Sequence, residues 1–114
     1  MTIYLSGAIT NRKNYKKEFF DAKEKIQKYL KEKKQKAKII IPFEGEPKNK
    51  EWEDYLKRDI KILMDCALLV DIENGSNASK GVLTEKIVCT CVNIPIITLT
   101  EFLKQESISS IIGD

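Results

Sequence analysis

Hydrophobic residues along the chain are grouped in two ways. Short unbroken runs occur at Ile3-Tyr4-Leu5, Ile39-Ile40-Ile41, Ala67-Leu68-Leu69-Val70 and within Asn93 to Leu99. Their length and lack of alternation predict strands, the first of them buried on both faces. Between them apolar residues recur at helical spacing. Tyr15, Phe19, Ala22, Ile26, Tyr29 and Leu30 predict a helix from an Asn14 N-cap to about Lys34. Trp52, Tyr55, Leu56, Ile60 and Leu63 predict a second helix from Glu51, facing the core. A third runs from about Gly81 to Val92, and a last one covers Glu101 to Ile112. Pro42 stops the second strand by removing a ladder donor, and Gly45, Pro47 and Asn49 mark the loop from Phe43 to Lys50.

The order β-α-β-α-β-α-β-α predicts one α/β domain over residues 1–114. Its parallel sheet of about four or five strands is flanked by helices on both sides, in a Rossmann/flavodoxin-like arrangement with right-handed crossovers. Ligands of such folds bind beyond the carboxyl ends of the strands, where Ser6-Gly7, Phe43-Glu44 and the Gly75 to Gly81 loop should gather.

Composition narrows the chemistry. The chain has 114 residues and no histidine, so a catalytic triad, a His-ligated metal and a His general base are excluded. Acid or base work falls to Asp, Glu, Tyr, Cys or Lys. Cys66, Cys89 and Cys91 suit neither a disulfide nor a zinc site, because the last two point about 200° apart on a helix. No apolar run approaches the roughly 20 residues of a membrane span, and Met1-Thr2-Ile3 enters the first strand without a signal core. The expectation is a cytoplasmic protein with no membrane association. Residues 12–38 hold 12 of the 20 Lys and Arg but only 4 of the 17 Asp and Glu. That basic segment reads first as a solvated lysine face and second as a means of steering anions.

Two carboxylates stand out. Asp59 follows Trp52 by seven positions, a rotation of about 700°, so it shares the side of Leu56 and Leu63. Lost hydration there would raise its pKa and make it a proton donor, unless it is a structural aspartate bonded within the core. Glu85 falls in the predicted first turn of the third helix, where free amides and the dipole should keep it ionised, as they do for acids that merely stabilise helices. Two carboxyl groups with opposed surroundings near the strand ends are the arrangement that cleaves a glycosidic bond. In the loop before Glu85, Gly81 allows close backbone approach, while Ser76, Ser79 and helix-end amides can donate to hydroxyl or phosphate oxygens. Tyr4 could hold a nearby carboxylate, or be a core tyrosine with a satisfied hydroxyl.

Together these residues resemble a known pattern. Ile3-Tyr4-Leu5-Ser6-Gly7, the acidic helix segment Tyr55-Leu56-Lys57-Arg58-Asp59, the loop and helix Ser79-Lys80-Gly81-Val82-Leu83-Thr84-Glu85 and the strand Asn93-Ile94-Pro95-Ile96 are similar to the motifs of the nucleoside 2-deoxyribosyltransferase-like superfamily. The similarity is to its short phage and bacterial members and, more distantly, to the 2'-deoxynucleoside 5'-monophosphate N-glycosidases. It spans about residues 3–99. It implies Glu85 as nucleophile at the anomeric carbon, Asp59 as the acid for the leaving base and Tyr4 as the residue that orients Glu85. It further implies Gly7, Ser79 and Gly81 lining the sugar or phosphate pocket, completed by Ser109 of a neighbouring subunit. Ala8 and Ala67 depart from the pattern, and the C-terminal region is short.

The expected function is cleavage or transfer of the N-glycosidic bond of a 2'-deoxynucleoside or its 5'-monophosphate, through a glycosyl-Glu85 intermediate. Water as acceptor makes the enzyme an N-glycosidase, and a second base makes it a 2-deoxyribosyltransferase. No metal or organic cofactor is required, because two carboxylates supply the chemistry. The expected partners are a small-molecule nucleoside or nucleotide and further copies of the chain, in a homodimer or higher homo-oligomer. The alternative is a non-catalytic protein that sequesters a nucleotide in the same pocket. Nucleic-acid binding through the lysine-rich helix ranks last, since no aromatic platform accompanies it.

Overall fold

In a computed structural model the described residues are 1–45, 48 and 50–112. Strands β1 (Thr2–Ser6), β2 (Lys38–Ile40), β3 (Leu68–Asp71) and β4 (Ile96–Thr98) form one parallel sheet in the order β2-β1-β3-β4. Helices α1 (Tyr15–Glu32), α2 (Trp52–Met64), α3 (Lys80–Val92), α4 (Leu99–Leu103) and α5 (Ser109–Ile112) complete the α/β fold. Ile3 pairs with Ile39 on one side and Leu68 on the other. Both neighbours of β1 are therefore fixed, and its residues Ile3 to Ser6 are buried.

Alternation along the strands divides the core. Ile3, Leu5, Leu68 and Val70 pack with Phe19, Ile26, Leu99 and Phe102. Tyr4 and Leu69 face the other way, onto Leu63, Cys66 and Cys89. Hence α1 and α4 cover one face while α2 and α3 cover the other, as right-handed crossovers require when the chain reverses direction after β2. Phe19 and Ile26 are fully buried, and each contributes about 1.5–3 kcal/mol through lost apolar surface.

Helix ends follow local chemistry. Asn93 adopts φ 62° after α3, Ile94 N–H reaches back to Cys89 O at 2.9 Å, and Pro95 prevents continuation. Ser79 caps the start of α3 by accepting from Val82 N–H. Asn14 precedes α1 as expected but makes no side-chain cap bond.

Three expectations need correction. The last helix is two short ones, interrupted after Leu103; the Gln35 side chain instead accepts from Ile108 N–H at 3.1 Å. The fourth strand is confined to Ile96–Thr98, with Leu99 already helical. The stripe on α2 faces the core only at its carboxyl end: Leu63 is buried with Tyr4 and Leu69, whereas Trp52 at the other end is 47% exposed. Pro47 and Asn49 of the predicted loop lie outside the described residues. The cysteines are unpaired as expected, Cys89 buried and Cys91 exposed two positions later. Among the described residues no helix is long and apolar enough to cross a membrane.

Candidate active site

The sheet order places the reversal of chain direction at β1 and β3, and a cleft opens beyond their carboxyl ends. It measures about 950 Å³. Its floor comes from Gly7 to Arg12 after β1. The start of α3 and the loop before it contribute Gly75, Ala78, Ser79, Lys80, Gly81, Val82 and Glu85 to the lining, and Pro42 with α2 contributes Trp52, Tyr55, Leu56 and Asp59. Five predicted site residues, Gly7, Asp59, Ser79, Gly81 and Glu85, thus line one cavity.

Glu85 is the most deeply held, 5% exposed. Because Tyr4 and Ser6 are alternate residues of β1, both hydroxyls project from one sheet face, toward α3. Tyr4 Oη donates to Glu85 Oε2, and Ser6 Oγ donates to Oε1 at 2.8 Å. Each carboxylate oxygen is therefore engaged, and the carboxyl plane is fixed by the strand. Ser6 as a second donor was missing from the sequence reading, although its position two residues after Tyr4 in an apolar strand was the available signal.

The expectation that Glu85 stays ionised is corrected by its surroundings. The helix begins at Lys80, which puts Glu85 in the second turn, beyond the free first-turn amides. Burial pushes its pKa up to about 7, against the lowering effect of the bonds from Tyr4 and Ser6. Burial, then the charges of Glu85 and Asp59, hold the Tyr4 hydroxyl far above its usual range, so it acts only as a neutral donor.

Asp59 is partly shielded, its side chain 14% exposed, with Arg58 Nη1 at 3.4 Å from Oδ1. Arg58 also donates to Pro42 O at 2.9 Å and Glu44 O at 3.0 Å, tying α2 to the end of β2. The face carrying Asp59 was expected in the core and instead borders the cleft.

Two loops are joined beneath the site by Asn74. Its amide accepts from Ala8 N–H at 2.8 Å and donates to Ala8 O at 2.9 Å, with a longer contact to Glu18, which in turn pairs with Arg12. Gly7 is required here: a Cβ would stand 2.7 Å from Ile72 and 2.9 Å from Asn74 Oδ1. Gly81 differs, since a Cβ there would meet only Ser79 Oγ at 3.7 Å, leaving open space beside the cleft. Next to Glu85 in sequence, Lys86 pairs with buried Asp71 at 2.7 Å and fixes α3 to the carboxyl end of β3.

Ser109 is not brought to this cavity by its own chain. It is exposed at the start of α5, beside Ile108, whose N–H bonds Gln35 in the connection entering β2. That is the amino end of the sheet. Among the described residues no group of three or more metal-ligating side chains occurs. Residues 1–98 match the family described as Domain of unknown function (DUF4406), and the chain belongs to that family. No curated protein matches it.

Proposed function

We propose that the chain cleaves or transfers the N-glycosidic bond of a 2'-deoxynucleoside or its 5'-monophosphate, as a member of the nucleoside 2-deoxyribosyltransferase-like superfamily. The observation that carries this reading is the carboxyl of Glu85, gripped by Tyr4 and Ser6 at the side of a cleft that Asp59 borders from the opposite helix.

In this mechanism ionised Glu85 attacks C1' and the C1'–N bond breaks, while the departing base takes a proton from Asp59. An acceptor, water or a second base, then attacks C1' of the glycosyl ester. Asp59 takes the acceptor's proton, and Glu85 leaves as carboxylate. Two hydroxyl donors keep the carboxyl in one orientation, so little reorganisation is needed at attack. Ser79 has its oxygen occupied by Val82 N–H and its proton available to the ligand. Gly81 leaves room for a sugar or phosphate against the helix. A second copy of the chain would supply Ser109.

Because only ionised Glu85 attacks, the rate should rise with pH through about 7. The test is release of free base from each deoxynucleoside and its 5'-monophosphate, followed by chromatography. Glu85→Ala should lower release by at least about a thousandfold, and Asp59→Asn should slow it most for poor leaving groups. Absence of release from every substrate, with tight binding retained, would replace this reading with the sequestering one.

A further inference from the structure

One edge of the sheet is open. Among the described residues β2 has a single strand neighbour, β1, and another cavity, of about 690 Å³, runs along its other side. That groove shares no lining residue with the cleft. Lys38 N–H bonds Met1 O at 2.9 Å, so in this parallel ladder Lys38 and Ile40 address β1 while the N–H and C=O of Ile39 point into the groove. Helices on opposite faces of the sheet form its walls, with Lys23 and Gln27 from α1 and Arg58 and Ile62 from α2. Each pair is about one helical turn apart, about 6 Å. Same-face side chains of a strand repeat at nearly that distance, roughly 6.6 Å.

We propose that this edge takes up an extended acidic peptide segment of a partner protein as a fifth strand. The groove is cationic: Lys23, Lys38 and Arg58 outnumber Glu44, which approaches Lys23 only at 3.9 Å. Lys38 makes no ion pair among the described residues. Arg58 is held by Pro42 O and Glu44 O and supplies a fixed positive charge. Along α1 the field continues, since residues 12–38 carry 12 Lys and Arg against 4 Asp and Glu. A second copy of the chain is the wrong occupant, because edge-to-edge pairing would bring another set of these cations into the same groove, and an edge lysine guards against such pairing. An acidic strand reverses that sign. Its main chain would pair with Ile39, while its carboxylates would reach Lys23 on the α1 face and Lys38, which shares the face of Ile40, on the α2 face. Free main-chain groups select a peptide over other polyanions, which have no ladder to pair with them.

The test is an NMR titration of the nitrogen-15-labelled chain with acetyl-Glu-Val-Glu-Thr-Glu-Val-amide, with its counterpart carrying Lys for Glu, and with two acidic peptides N-methylated at odd or at even residues. The acidic peptide should bind and shift the Ile39 amide resonance, and the lysine peptide should not bind. One of the two N-methylated peptides should lose its affinity. Ile39→Pro removes the outward N–H and none of the bonds to β1, a change an edge strand tolerates, and should weaken binding roughly 10-fold. Lys38→Glu reverses an exposed charge and should weaken binding about fivefold or more. Circular dichroism checks that both variants fold, and the peptide series needs no variant. No binding of the acidic peptide at millimolar concentration, no shift at Ile39, equal binding of the lysine peptide, or full affinity in both N-methylated peptides overturns strand addition. Dimerisation in sedimentation that Ile39→Pro abolishes gives the edge to a second copy and overturns it as well.

Discussion

Replacing Glu85 by Gln should make the protein more stable above neutral pH. In the unfolded chain this carboxyl titrates near 4.5, and in the fold burial moves it to about 7. The folded state thus prefers the protonated acid. Its stabilising contribution is complete below pH 4.5 and is lost as the pH rises through 7, because above that point a charge must be held beside Tyr4, Cys89 and the sheet. With each pH unit worth about 1.4 kcal/mol, the interval from 4.5 to about 7 amounts to about 3 kcal/mol. Gln has the same shape, can accept from one hydroxyl and donate to the other, and carries no charge at any pH. Urea denaturation of wild type and Glu85→Gln at pH 5, 6, 7 and 8, followed by far-UV circular dichroism, measures the difference. It should be small at pH 5 and grow to about 3 kcal/mol in favour of the variant at pH 8, a Tm gap on the order of 10 °C. Histidine is absent from the chain, which removes the side chain that usually obscures this window. A difference that stays flat, or that favours wild type increasingly at high pH, would refute the desolvated acid and restore the helix-stabilising carboxylate.

Other substitutions separate the parts of the site. Tyr4→Phe removes one donor and keeps the ring; the Glu85 midpoint, read by carbon NMR of its carboxyl, should move further above 7, with about 1–3 kcal/mol of stability lost at pH 8 and less at pH 5. Gly7→Ala drives a methyl into Ile72 and should cost about 1–3 kcal/mol in urea unfolding. Gly81→Ala has no such clash; it should stabilise α3 by about 0.5–1 kcal/mol while weakening ligand binding in a calorimetric titration, because the new methyl occupies cleft space.

The alternation of short apolar runs with helical stripes carries enough information for the sheet and its helices, because the central strands β1 and β3 are buried on both faces and have little choice of environment, while the part-exposed edge strands β2 and β4 keep the same apolar runs. The carboxyl ends of β1 and β3 follow from that order, and with them the gathering of Gly7, Ser79, Gly81 and Glu85. Two errors share one cause. Helical spacing says that Trp52, Tyr55, Leu56 and Asp59 share a face but not what covers it, and here a cleft does. Likewise, nearness to a helix start is a one-dimensional cue, whereas the burial that raises the Glu85 pKa comes from packing against the sheet, where its bonding partners Tyr4 and Ser6 lie about 80 residues earlier in the chain. The interruption after Leu103 was hidden because no Gly or Pro marks it; the decisive contact comes from Gln35, far away in sequence.

The Asn74 amide takes the position that another backbone rung would occupy. The last main-chain bond between these strands' extensions is Ile72 N–H to Ser6 O, and two residues further along each segment a side chain continues the pairing through Ala8. Segments that look like independent connections in the chain are therefore one rigid ledge. Any insertion into either would have to preserve the spacing of the other, and the amide proton of Ala8 should exchange with solvent as slowly as those of the sheet.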